Sequence, residues 1–347
     1  MKLKKKLIKA ITIAVIGIMS VSTTFASDLP VLTLQQAVSS ALSADAAQQE
    51  AYRAERAAST QVMQDTDDVA TVAYQKSYYS KLESEQVEKY HKDAVEYNTI
   101  KLYNSITVLQ KQVDFCDERL AYQEKLFKQM EVKHNNGLVS QLDYETAESA
   151  IKEQRTAKEK LQAQLDKARE EFKLLAKYDT TKYSLEEKFE VEYYDYAGNI
   201  NYFFDSSVDE MLQYQKKLID VSADYTVSDG IKRGDNGALT YYNTKSSVTS
   251  AKAQLESTKE ARLTTLNSLY SSLATLKQDI KELEVGIQDK EKTLVANRLK
   301  FSKGLISESE ISKTELELNE AKLNLISKKV EYNTTKEAVR KPWVNFY

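Results

Sequence analysis

The sequence predicts an all-α fold of long antiparallel coiled-coil hairpins, with the hairpin unit made twice. Three observations predict it. Gly and Pro are scarce, 8 and 2 in 347 residues, against average usage of about 7% and about 5%, so turns are few and elements long. Charged residues make up 29% of the chain, and with abundant Leu, Ala, Gln and Ser this is the composition of long helices. A small Gly-centred string, "NNGLVSQLD" at 135–143, returns as "SKGLISESE" at 302–310, each copy between stretches of helical periodicity.

The chain opens with Lys2, Lys4, Lys5, Lys6 and Lys9, an apolar run from Ala10 to Val21, and the small-residue site Thr24-Phe25-Ala26. Residues 1–26 are expected to be a secretory signal peptide; a membrane-spanning helix needs ~20 apolar residues, more than this run supplies. Removal of the peptide takes the formal net charge from −3 to −8, since five lysines and no acid are lost. That balance argues against nucleic acid as a partner. Cys116 is the one cysteine, so an intramolecular disulfide is impossible and a cysteine metal site is not expected. His91 and His134 lie far apart in the chain and form no ligand spacing.

From Val31 to Asn136 there is no Gly or Pro. A single helix of that length would reach ~160 Å, so interruptions are expected. Thr33 and Gln36 form a capping box, and Leu34, Ala37, Val38, Ala41 and Leu42 make a short amphipathic face. A second helix is expected from about Asp45 to Gln64. Asp65-Thr66-Asp67-Asp68 then competes with helix through side chain–backbone bonds and reads as a tight reversal. Beyond it Ile106, Leu109, Val113, Cys116, Leu120, Gln123, Phe127, Met130 and His134 step by three and four alternately, a heptad seam. Cys116 fills an apolar position of that seam and His134 closes it.

After Gly137 a return helix is expected from about Gln141 to Lys177. Residues 178–206, with "FEVEYYDYAGNINYFF", break the period. They read as a connector packed outside the helices, with a short strand or two and a turn at Ala197-Gly198-Asn199. The unit then restarts. Ser207 and Glu210 suggest a capping box and a helix to about Ala223, followed by a Gly-rich loop from Thr226 to Ala238. A long helix from about Thr240 to Phe301 carries the seam Leu266, Leu269, Leu273, Leu276, Ile280, Leu283 and Ile287, and Gly304 ends it. The return helix has two apolar lines, Ile311-Leu318-Leu325-Tyr332 and Leu316-Leu323-Val330, so it is expected to pack on two sides. The mature chain thus divides into a first hairpin repeat at 27–177, the connector at 178–206 and a second repeat at 207–347.

In both tips Gly follows the end of a long helix, where the backbone turns left-handed and a Cβ would be penalised. Ser140 with Asp143, and Ser307 with Glu310, match the capping box that starts the next helix. Between stop and start lie Leu138-Val139 and Leu305-Ile306. A bare helical turn needs such residues once; the recurrence of Gly-apolar-apolar-Ser at the same place in two divergent repeats asks for a shared role.

At these residues the sequence resembles the TolC family of outer-membrane efflux proteins. "LTLQQAVSSAL" matches the Leu-x-x-Ala phrase that opens the family's repeat. The family's tip pattern is matched by Lys133, His134, Gly137, Leu138, Val139, Ser140 and Asp143, and again by Lys300, Phe301, Gly304, Leu305, Ile306, Ser307 and Glu310. The resemblance implies a homotrimer with a twelve-helix tunnel, exported to the cell envelope. It implies that Lys133, Gly137, Leu138, Val139 and Ser140, with Lys300, Gly304, Leu305, Ile306 and Ser307, dock a membrane-fusion adaptor of an inner-membrane transporter. It also implies that Asp143 and Glu310 narrow the tunnel entrance; Lys313 departs from the family pattern, having the wrong charge for a second acidic ring. A larger departure concerns the barrel. A membrane strand needs ~9–11 residues of alternating hydrophobicity, and neither Asp65–Asp68 nor the Thr226–Ala238 loop offers one. A member without a barrel is expected, outer-membrane by resemblance but with a periplasmic or cell-surface location open.

No Ser-His-Asp set, phosphate loop or metal cluster is visible, so neither an enzyme nor a cofactor is expected. The rival function is a non-transport coiled-coil spacer on the cell surface. An adaptor is disfavoured because residues 178–206 are too few for the β-rich domains that adaptors carry.

Overall fold

The computed structural model describes residues 29–64, 72–229 and 237–347. The expected signal peptide, the Asp65–Asp68 reversal, and Gly230 and Gly234 of the expected loop lie outside the described residues. The elements in order are β1 (Val31–Leu32), α1 (Leu34–Ala44), α2 (Ala46–Gln64), α3 (Val72–Asn135), α4 (Gln141–Ala176), β2 (Ser184–Leu185), α5 (Ile200–Asp229), α6 (Gly237–Ser302) and α7 (Glu308–Arg340). At 1.5 Å per residue α3 and α6 are each about 95–100 Å long, as the missing Gly and Pro require.

Hairpin α3–α4 and hairpin α6–α7 stand side by side, joined where α3 packs on α7. The register of that junction is antiparallel. Lys341 bonds Asp93 and Glu96 at one end, and toward the tips Asn319 bonds Glu118 and Lys125 pairs with Glu308. α2 pairs with α3, and α5 with α3 and α6, in the half away from the tips. Each hairpin has its own core. Ile106, Val113, Leu165, Phe172 and Ala176 pack with Ala37 and Ala41 of α1. Tyr90, Phe204, Val208, Met211, Leu266, Leu273, Ile280 and Tyr332 pack where α5 meets the second hairpin.

The first seam is buried at Ile106, Val113, Cys116 and Leu120 and only half-buried at Gln123, Phe127, Met130 and His134, so it opens toward the tip. Burial pushes the Cys116 thiol pKa up, and Gln154 Nε2 donates to Cys116 Sγ at 3.8 Å. On α7 Leu318 and Tyr332 are buried with the second hairpin. The other line, Leu316-Leu323-Val330, is half-buried and continues from Ser309, whose carbonyl accepts from Tyr122 of α3 at 3.3 Å. The return helix therefore packs on two sides.

α1 begins with the expected capping box between Thr33 and Gln36. It ends at Asp45, whose carboxylate lies 2.6 Å from His91 Nε2 on α3; this contact marks the α1–α2 corner. The connector crosses the helices as a strap. β2 pairs in parallel with β1, Val31 opposite Ser184 and Leu32 opposite Leu185. The Tyr103 hydroxyl donates to the Leu32 carbonyl at 2.7 Å and accepts from the Glu186 N–H at 2.6 Å. Further along, the Tyr332 hydroxyl accepts from the Tyr194 N–H at 2.8 Å, and Asn333 and Lys336 donate to the carbonyls of Glu190 and Glu192.

Two expectations are corrected. Ser207 and Glu210 do not open a helix: α5 starts at Ile200, where the Asn199 side chain accepts from the N–H groups of Asn201 and Tyr202, and Ser207 is buried within the helix. Asn is as good an N-cap as Ser, and the earlier start lets Phe204 and Val208 enter the core on one face. The loop expected from Thr226 to Ala238 is also shorter, because α5 continues to Asp229 and α6 already begins at Gly237. Pairing of α5 with α6 outweighs the weak local preference of those residues.

Candidate functional site: the two hairpin tips

Each long helix stops by the same backbone device. Gly137 has φ +71° and Gly304 φ +73°. The Gly137 N–H donates to the His134 carbonyl at 2.8 Å and the Leu138 N–H to the Lys133 carbonyl at 2.9 Å. At the second tip Gly304 donates to Phe301 at 2.8 Å and Leu305 to Lys300 at 2.9 Å. This six-to-one and five-to-two pair is the Schellman stop, which satisfies carbonyls that a helix end leaves orphaned. A Cβ added at either Gly meets nothing within 4 Å, so the requirement for Gly is conformational and not steric.

The return helices restart differently. Ser140 accepts from the Asp143 N–H at 3.1 Å and donates to the Asp143 carboxylate at 2.7 Å. Ser307 accepts from the Glu310 N–H at 3.3 Å, and the Glu310 carboxylate reaches back to the Ser307 N–H at 3.4 Å. The capping box is complete only at the second tip, where the acid is one methylene longer. Asp143 and Glu310 are both exposed and both engaged at a helix N-terminus, which favours negative charge. Lys313 is exposed beside Glu310.

Side chains separate the tips further. At the first, His134 stacks on Tyr144 with centroids 4.7 Å apart, Tyr144 meets Phe127 at 5.1 Å, and His134 Nε2 lies 2.9 Å from Gln141 Oε1. At the second, Phe301 is exposed, and Ile311 stands where Tyr144 stands in the first.

Leu138 and Leu305 are 75% and 70% exposed, far more than Val139 and Ile306, the other apolar residues of the expected docking set. Val139 and Ile306 are half-buried beneath them, while Lys133, Ser140, Lys300 and Ser307 are exposed. The structure brings each set of five together on one tip. The register of α3 on α7 keeps the tips at different heights along the helices: Lys125 is level with the first residue of α7, Glu308, and α3 continues from there to Asn135.

The sequence reading missed two residues. Val132 and Leu299 are 61% and 58% exposed, and each lies five residues before the tip Gly. They lie off the heptad seam, so periodicity passes over them; their equivalent places in the two repeats were the available signal. Each tip thus exposes a patch of large apolar side chains, Val132, Leu138 and Leu142 at the first and Leu299, Phe301 and Leu305 at the second. Among the described residues no group of His, Cys, Asp or Glu is placed to hold a metal ion, and no helix is long and apolar enough to cross a membrane.

No family model matches the chain, and no curated protein matches it. Solved structures do. A membrane protein from Pseudomonas aeruginosa superposes with a TM-score of 0.67 at 12% identity, over 89% of this chain and 92% of that one. The Campylobacter jejuni CmeC outer membrane channel gives 0.67 at 12% identity, over 90% and 86%. The Vibrio cholerae outer membrane protein VceC gives 0.61 at 12% identity, over 88% and 94%. The likeness to the TolC family read from the two tips therefore holds, as fold, across nearly the whole chain.

Proposed function

We propose that the chain is the subunit of an exported, trimeric helical conduit that docks a membrane-fusion adaptor through its tips and works with an inner-membrane transporter. The observation that carries this reading is the repeated tip: the same left-handed Gly stop presents Leu138 and Leu305 to solvent on a fold whose solved neighbours include outer membrane channels. Exposed leucines on a rigid turn are costly to leave in water and suit a partner that covers them with apolar side chains. Lys133 and Lys300 sit at the adjoining helix ends, where cations are favoured, and supply a polar rim. Asp143 and Glu310 would form acidic rings at the tunnel mouth when three copies meet, while still capping their helices. Passage through such a conduit calls for no catalytic group, and the solved neighbours are channel and membrane proteins.

The test uses the mature protein. Sedimentation should give a trimer, and Leu138→Glu or Leu305→Glu should abolish capture of the cognate adaptor while leaving helicity and trimer intact. A stable monomer at micromolar concentration would overturn the conduit. Unchanged capture by both variants would move docking away from the tips and favour a spacer.

A further inference from the structure

The connector leaves α4 through Lys177, which has φ +58°, and makes one tight helical turn at Thr180–Lys182 before it enters β2. Asp179 caps that turn. Its carboxylate accepts from the Thr181 N–H at 3.1 Å and from the Thr181 hydroxyl at 2.6 Å. Between this turn, α3 and α4 the packing leaves a cavity of about 330 Å³. Water takes about 30 Å³ per molecule, so the space can hold a ligand of amino-acid size in place of a cluster of waters.

Two polar atoms on residues of its wall have no partner. Thr180 is 5% exposed, and its hydroxyl makes no hydrogen bond among the described residues. Arg169 Nε is buried and likewise unpartnered. Packing alone does not call for that hydroxyl, since Val would fill the place of Thr180 with nothing to satisfy. A guanidinium N–H can only donate, so what is missing beside Arg169 is an acceptor, and a charged one bonds it best. A buried polar group short of its partner costs stability, which a ligand of the right chemistry recovers.

The other charges on the wall indicate what else the ligand carries. Lys111 is already paired with Glu187 at 2.8 Å. Asp114 has no ion pair among the described residues, though the Gln110 amide donates to its Oδ1 at 2.8 Å. The same amide accepts from Arg169 Nη2 at 2.6 Å. Gln110 thus stands between a cation and an anion, turning an acceptor to one and a donor to the other. An α-amino acid carries the same two functions on one small group, as a carboxylate and an ammonium. Leu29, Ile106 and Leu185 also line the cavity and offer apolar surface to a side chain.

We propose that this cavity binds a free amino acid with an apolar side chain. The carboxylate accepts from Arg169 Nε and the Thr180 hydroxyl, the ammonium donates to Asp114, and the side chain lies against Leu29, Ile106 and Leu185. The site is on the flank of the first hairpin, well short of its tip, and stands independently of the conduit reading.

Calorimetry on the mature protein tests this with three probes: L-leucine, 4-methylpentanoate, which lacks the ammonium, and 3-methylbutylamine, which lacks the carboxylate. Leucine should bind at one site per chain, and each of the other two about tenfold more weakly or worse, as loss of a charged hydrogen bond predicts. Thr180→Val should weaken leucine by about tenfold on the same ground, while Thr180→Ser should keep it. Absence of leucine binding at millimolar concentration would assign the space to water and overturn the proposal; Thr180→Val would then be more stable than wild type. Equal affinity for 4-methylpentanoate and leucine would overturn the ammonium contact and with it the ligand class. Leucine binding unmoved by Thr180→Val would place the ligand elsewhere and overturn this site.

Discussion

At the equator, the level where the connector crosses the helices, the Tyr103 hydroxyl ties together Leu32 and Glu186, which are 71 and 83 residues away in the chain. At the tips every hydrogen bond that shapes the turn spans seven residues or fewer. The equator is a place where distant segments meet around fully buried rings such as Phe172 and Tyr332. The tips are local chemistry projecting into solvent. Local structure of that kind opens without global unfolding, so a tip can be altered and the body kept, whereas a change at the equator is felt by the whole chain.

That contrast can be broken in four places, taken from the largest effect to the smallest. Phe172 is fully buried and lies 6.1 Å from the Tyr103 ring; Phe172→Ala should cost about 3–5 kcal/mol in urea unfolding, and a loss below about 1 kcal/mol would mean that the equator is no core. Tyr103→Phe should cost about 2 kcal/mol, two hydrogen bonds at about 1 kcal/mol each, because the Glu186 N–H and the Leu32 carbonyl keep only the 3.3 Å bond they make to each other.

The same hydroxyl carries a pH signature. Burial, opposed in part by its backbone bond, pushes the Tyr103 pKa up to about 12. The folded state thus favours the neutral phenol. The contribution is complete below the unfolded value of about 10 and is lost as pH climbs through the folded value. Wild type should lose stability relative to the Phe variant between those limits, and a parallel decline of the two would refute it.

At the tips Gly137→Ala and Gly304→Ala should each cost about 1–2 kcal/mol, the penalty of a Cβ in the left-handed region. The two losses should match, since neither added methyl meets a neighbour. Amide exchange at Leu138 and Leu305 reads this locally, and unequal protection would show that the backbones are not equivalent. Last, Ser307→Ala should cost about 1 kcal/mol as an N-cap loss, and Ser140→Ala somewhat less, because only the second tip has the return bond from its acid. Asp143→Glu should complete the first box and gain about 0.3 kcal/mol; no gain would mean that side-chain length is not the difference between the tips.

The parts legible in the sequence were those whose causes lie within one or two turns. The Schellman stops at Gly137 and Gly304, the caps at Thr33, Ser140 and Ser307, and the buried core of both heptad seams follow from spacing alone. Ser207 misled for the same reason. Ser-x-x-Glu has the local form of a cap, but Phe204 and Val208 pack on α6 and draw the helix start back to Asn199. His91 carried no signal, because its partner Asp45 is a long way off in sequence and the two meet only when α2 folds back on α3. Val132 and Leu299 were passed over because an exposed apolar residue off the seam looks like noise until the neighbouring helices are placed.

By itself the sequence determined that the chain makes two long hairpins and that each ends in the same Gly-apolar-apolar-Ser turn, since helix periodicity, helix stops and helix caps are properties of neighbouring residues. Only the tertiary structure decided that the connector straps the helices through Tyr103 and Tyr332 and that the tips stand at different heights. Those outcomes depend on which helix lies beside which, a choice made by packing between residues far apart in the chain.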